Sequence, residues 1–168
     1  MGTKRVGMAR VRSLINENNN QLKRKKQQIL ECVSAPLVLT AADSGATVYW
    51  THSASQHGIT LPVAEVGMSF KFVIAAGHGA EHTITCNTAD EIIGKVNVMS
   101  STANKCASQL GNKSDNFKEI NLHATTTTLG GDIGDIIELH CLEANHWTCS
   151  AVLTLRTGNP ASIAVLTT

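Results

Sequence analysis

The sequence predicts an all-β protein, an antiparallel β-sandwich of jelly-roll-like topology behind a basic, partly helical N-terminal arm. Three observations carry this. From Pro36 onward apolar and polar residues alternate with period two, in short runs closed by Gly, Asp, Asn and Pro. The chain is 42% apolar but only 4% aromatic, with 13 Gly and many Thr, Ser, Val and Ile. Small β-branched side chains of this kind suit two sheets packed closely face to face. Finally, residues 135–155 read as one long hairpin with a single apolar face. The 168 residues are divided into an arm, 1–35, and a sandwich domain, 36–168, with a core of ordinary size.

Within the arm, Ile15, Leu22 and Ile29 recur at seven-residue spacing, the rhythm of a helix buried along one seam. Asn19 and Lys26 occupy the alternate seam positions, so a strong coiled coil is excluded. Two readings stand: a helix anchored by those three residues, or a polar tail that orders on docking. Strands are expected near 36–41, 46–51, 58–63, 68–76, 82–87, 92–99, 117–122, 124–129, 135–142, 146–155 and 161–166. The polar stretch 100–116 is expected to be a surface loop. In the hairpin, Ile137, Leu139 and Cys141 share one face, answered after the Glu143-Ala144-Asn145 turn by Trp147, Cys149, Ala151 and Leu153. Simple register places Cys141 opposite Trp147 and Leu139 opposite Cys149. Turn residues punctuate the strands: Asp43-Ser44-Gly45, Gly58, Pro62 at a strand end, and Gly130, Gly131, Asp132, Gly134 and Asp135 at a tight reversal. The glycines permit positive φ, and the two aspartates can accept from local backbone N–H groups.

Net charge is +1, but it is split. Residues 1–31 carry eight Lys and Arg, among them Arg10, Arg12, Lys23, Arg24, Lys25 and Lys26, against Glu17 and Glu31, a net +6. The other 137 residues carry six bases and eleven acids, a net −5. A basic arm on an acidic body is an interaction-tail pattern whose partner is an acidic surface. The apolar anchors among the bases favour a protein partner; nucleic acid is expected only through this arm. No apolar stretch is long enough to span a membrane, and the basic, polar N-terminus lacks the apolar core of a secretory signal. Five cysteines without framework spacing argue for reduced, mostly buried thiols.

Candidate chemistry is thin. His78, Glu81, His82 and Cys86 suggest a metal set, as do His140, Cys141, His146 and Cys149, but strand alternation separates the members of each. Cys106 or Ser108 could serve as a nucleophile, yet no flanking motif supports either. Asp132 and Asp135 as an acid–base pair lose to their turn role. No enzyme, cofactor or metal is expected. The Thr125–Thr128 run reads as ordinary strand sequence. Tyr49 and Trp50 are the one candidate aromatic contact patch, and their adjacency means that one of them faces outward.

Three phrases resemble the β-sandwich surface proteins of tailed-phage particles, of the head-decoration or fibre-knob type. They are Ala42-Asp43-Ser44-Gly45, Gly58-Ile59-Thr60-Leu61-Pro62 and Gly67-Met68-Ser69-Phe70-Lys71-Phe72-Val73. The likeness continues through Gly130-Gly131, Gly134-Asp135 and Trp147, and departs where Cys149 and Ala151 replace the expected Val and Gly. The resemblance spans roughly residues 36–155 and describes a scaffold rather than a site. It implies a non-enzymatic capsid decoration or cement protein, assembled in the host cytoplasm and located on the virion. Its arm would dock on the major capsid protein, and its sandwich would form a homo-oligomer, a trimer being favoured. Two alternatives are a small jelly-roll shell protein whose arm binds the genome, and a receptor-binding fibre knob.

Overall fold

Through the first half of the chain, successive strands alternate between two sheets, and that alternation sets the architecture. The computed structural model describes residues 10–13, 15–16, 28–33, 36–51, 56–77, 79–103, 105–123, 129–156, 160 and 164–168. Among them lie β1 (Ile29–Cys32), β2 (Leu37–Val38), β3 (Thr47–Trp50), β4 (His57–Thr60), β5 (Ser69–Ile74) and β6 (His82–Thr85). They continue with β7 (Glu91–Ser100), β8 (Cys106–Gly111), β9 (Glu119–Leu122), β10 (Ile136–Glu143), β11 (His146–Leu155) and β12 (Leu166–Thr167). The larger sheet has the order β1-β3-β5-β10-β11-β7-β8 and the smaller β12-β9-β6-β4-β2.

β1, β3 and β5 run parallel in the larger sheet, as do β2, β4 and β6 in the smaller. The chain therefore winds as a coil of rungs, crossing between sheets at each connection. After β6 it turns to hairpins: β7 with β8 and β10 with β11 are antiparallel, and β10 adds antiparallel to β5. β11 joins β7 in parallel along ten residues, while β9 and β12 extend the smaller sheet antiparallel.

The all-β, two-sheet expectation holds; the strands are not antiparallel throughout as expected, because both sheets are mixed. Period-two alternation tells which face a side chain takes, and it is the same whichever way the neighbouring strand runs. Two boundaries also move. Ile29–Cys32, assigned to the arm, is a strand of the larger sheet, so Ile29 is not a helix anchor. Cys106–Gly111, expected in a loop, is β8. The expected strand at 124–129 lies largely outside the described residues, as do residues 161–163 of the one expected at 161–166, whose last residue, Leu166, opens β12. In the arm, residues 10–13 and 15–16 are helical, with Val11 and Ile15 half exposed on successive turns; Leu22 and Lys23–Lys26 lie outside the described residues.

The core fills the space between the sheets in register rows. Val48, Phe72, Ile137 and Ala151 align across four neighbouring strands of the larger sheet. Leu37, Ile59, Ile84, Ile120 and Leu166 align across the smaller one. All but Leu37 are buried. Each large side chain so placed is worth about 1.5–3 kcal/mol of transfer free energy. Trp147 packs on Phe70 with ring centroids 5.7 Å apart.

Candidate interaction surface

The outer face of the larger sheet carries the residues best placed to meet a partner. Alternation along β3 turns Trp50 into the core, fully buried and edge-on to His82 at 5.4 Å, and leaves Tyr49 44% exposed. Trp50 is thus removed from the candidate contact patch. Tyr49 does not stand alone. Strict register places it beside Val73, then Ile136, then Val152, on four adjacent strands. Ile136 and Val152 are exposed and Val73 half-buried, so the row is apolar and open to solvent. The row beside it is polar, with Thr47, Lys71, Glu138 and Ser150 in register and Lys71 Nζ 3.2 Å from the Glu138 carboxylate. A groove of about 110 Å³ opens there, lined by Thr47, Ser69, Lys71, Glu138 and His140. An apolar stripe next to a polar groove can recognise an amphipathic surface; it offers no converging nucleophile and base.

The predicted turn residues form a brace at one end of the sandwich. Gly131 and Gly134 have φ of 126° and 94°, and they let the chain reverse before β10. Gly130 has no positive φ; it serves close approach, since a Cβ there would lie 2.4 Å from that of Leu153. The buried Asp135 carboxylate accepts from Gly131 N at 3.2 Å, Asp132 N at 2.9 Å and Thr154 N at 2.6 Å, tying the turn to β11. Asp132 faces out and takes both Nε and Nη2 of Arg156, at 3.2 and 2.5 Å. Those hydrogen bonds hold its carboxyl below the usual carboxylate range. Arg156 was missed by sequence reading, because a pairing across the end of a sheet leaves no local pattern. At the earlier turn, Asp43 Oδ2 accepts from Thr40 N at 2.9 Å and Thr40 Oγ1 at 2.7 Å, which lowers its pKa too. Gly45 follows at φ 88°. Gly58 is corrected from a turn to a position inside β4, paired with Thr83. Pro62 lies just beyond the end of β4.

The metal expectations can be placed only in part. His82 and Cys86 are buried, and His78 lies outside the described residues. Among the described residues no three His, Cys, Asp or Glu side chains are grouped to hold a metal ion. Ser108 Oγ is 2.6 Å from Asn97 Oδ1, an exposed cross-strand contact rather than a nucleophile–base pair. The Thr125–Thr128 run lies outside the described residues. No described helix is long and apolar enough to cross a membrane.

All five cysteines are free thiols, and only Cys106 is exposed. Burial pushes the Cys86 thiol up to about 11 and that of Cys149 up to about 12. Burial thus disfavours the reactive thiolate at both positions, even before access is considered. An aromatic disulfide reagent should therefore titrate one thiol rapidly in the native protein and the other four only with denaturant. Two or more fast thiols would contradict the core described above.

Comparison with protein-family models, with curated proteins and with solved structures returns no match.

Proposed function

We propose that this chain is a non-enzymatic structural protein of a virus particle, a capsid decoration or cement protein that docks on the head shell through its N-terminal arm. The observation that carries the reading is the charge split: eight bases against two acids in residues 1–31, attached to a body of net −5. Such an arm seeks an acidic surface on a partner and leaves the body free to project. The likeness of the turn phrases to phage surface proteins supports the setting, and the open apolar row around Tyr49 supports a body that meets other surfaces. A ligand specific for the assembled shell opposes its disassembly by mass action. On this reading the partner is the major capsid protein, the location is the capsid surface, and no cofactor takes part.

The test is co-sedimentation of the full chain with shells of its major capsid protein. A variant carrying Lys23→Ala, Arg24→Ala, Lys25→Ala and Lys26→Ala is run beside the wild type. Four exposed ion pairs at about 0.2–1 kcal/mol each correspond to roughly a fourfold to several-hundredfold loss of affinity. The wild type should pellet with shells and the variant should stay in the supernatant at the same concentration. A wild type that ignores shells ends the reading. The same arm keeps one rival in view. If the purified protein forms large particles with the absorbance of nucleic acid, dispersed by salt, it is a shell protein whose arm binds the genome.

A further inference from the structure

The two ends of the sandwich are finished differently. At the far end a side chain closes the gap between the sheets. Gln109, on β8 of the larger sheet, donates from Nε2 to the main-chain oxygen of Leu166 at 2.8 Å and accepts from its N–H at 2.9 Å. The amide thus stands in for a paired strand along the outer edge of β12. At the near end lies the first rung of the coil, where β1 and β2 are the outermost strands of their sheets. There Leu30 and Leu37 only half enter the core. Ile29 is 68%, Val33 52% and Val38 65% exposed. Natural edge strands are blunted by charged side chains, Pro, a bulge or a covering segment; β1 carries one charge, Glu31, and among the described residues no strand covers its outer edge.

The hydrogen-bonding direction along β1 can be read from its neighbour. The carbonyls of Gln28 and Cys32 accept from Thr47 N and Thr51 N, so Gln28, Leu30 and Cys32 face β3. Alternation turns the N–H and C=O of Ile29, Glu31 and Val33 to the outer edge, which no described strand pairs. What completes such an edge is another extended strand.

We propose that the outer edge of β1 is a dimerisation surface. Two copies pair their β1 strands antiparallel about a two-fold axis through Leu30, making the two larger sheets continuous. Three observations select a second copy as the occupant. First, the strand fits itself: Leu30 meets Leu30 on the core side, and Ile29 exchanges main-chain bonds with Glu31. The register shifted by one pair would oppose Glu31 to Glu31 and is disfavoured. Second, Glu31 is the sole charged residue among described positions 28–40, so little repels an identical edge. Third, an antiparallel pairing of β1 with β1 uses the same patch on both copies and so closes the assembly at two, while at the far end Gln109 already fills the outer edge of β12. This replaces the trimer expected from sequence, and it does not rest on the virion reading, since it needs no shell.

The test is the solution mass of the full chain at tens of micromolar, by light scattering, with Ile29→Pro and Ile29→Lys beside it. The proline removes an N–H that β3 does not use, which an edge strand tolerates; the lysine covers the case in which proline prevents folding. The wild type should weigh twice 17.9 kDa, and a folded variant half of that. In the wild type the amides of Ile29 and Glu31 should exchange slowly with solvent and speed up on dilution. A wild type of one or three copies overturns the proposal. So does a two-copy mass that survives both variants while those amides exchange freely.

Discussion

Gly94→Ala should lower the melting temperature by roughly 6–12 °C, from a loss of about 3 kcal/mol in a domain of this size. Gly94 sits inside β7 with φ 116°, where its main chain runs parallel to β11 and pairs with Cys149. A Cβ at this position would lie 2.2 Å from the Cys149 carbonyl oxygen and 2.9 Å from its nitrogen. Both are backbone atoms of a buried strand and cannot swing aside. Two penalties therefore add: left-handed backbone for an L-residue, and a collision that forces β7 from β11. Gly45→Ala separates them. Gly45 has φ 88°, but a methyl group there would meet nothing within 4 Å, so only the conformational cost of about 1–2 kcal/mol remains. Thermal unfolding of the two variants against wild type is the measurement. Equal losses would mean that β7 and β11 are not in this close contact.

That pair of glycines also shows where sequence reading stops. The turn Asp43-Ser44-Gly45 declares itself, because Asp and Gly close together between apolar runs favour a reversal. Gly94 stands in Ile92-Ile93-Gly94-Lys95-Val96 and looks like a weakness in a strand; its need for a missing Cβ comes from Cys149, far along the chain. The hairpin of β10 and β11 was legible for the same local reason as the turn. Ile137 and Leu139 answer Ala151 and Cys149 in the expected register, but past His140 the register shifts, so Glu143 pairs with His146 and the expected Cys141–Trp147 pair is not in the ladder. β8 was not legible. Cys106-Ala107-Ser108-Gln109-Leu110-Gly111 buries only its last residue, and its important side chain is polar, engaged with Leu166. β1 was hidden by the charge run before it, which drew the arm's boundary past Ile29. In the candidate surface, Tyr49 followed from simple alternation, whereas its neighbours Val73, Ile136 and Val152 needed the strand order. Strand order is a matter of which faces bury together, and no run of residues encodes it locally.

Asp135→Ala should cost at least about 3 kcal/mol, while Asp135→Asn should remain close to wild type. One carboxylate oxygen accepts from Gly131, Asp132 and Thr154, and each buried donor left unmatched costs about 1–3 kcal/mol. Asparagine keeps an oxygen at that point, and its amide can turn toward the Thr154 hydroxyl that already bonds this carboxyl. The pH dependence then distinguishes the two acceptors. Burial is the largest influence on Asp135 and lifts its pKa above the usual value, with the backbone N–H groups pulling it partly back. A raised folded-state pKa means that the stability tied to this group is fully present below the unfolded value of about 3.9 and is lost as pH rises through the folded value. Asparagine does not titrate. The difference between wild type and Asp135→Asn should therefore shift toward wild type as pH falls from 7 to about 4. Asp132 runs the other way, since Arg156 depresses its pKa and its contribution fades on acidification, but it is present in both proteins and cancels in their difference. Denaturant unfolding of the three proteins across that range is the experiment. An alanine variant as stable as asparagine would mean that the carboxylate does not tie the reversal to β11, and the brace at that end of the sandwich would have to be sought in the Asp132–Arg156 pair.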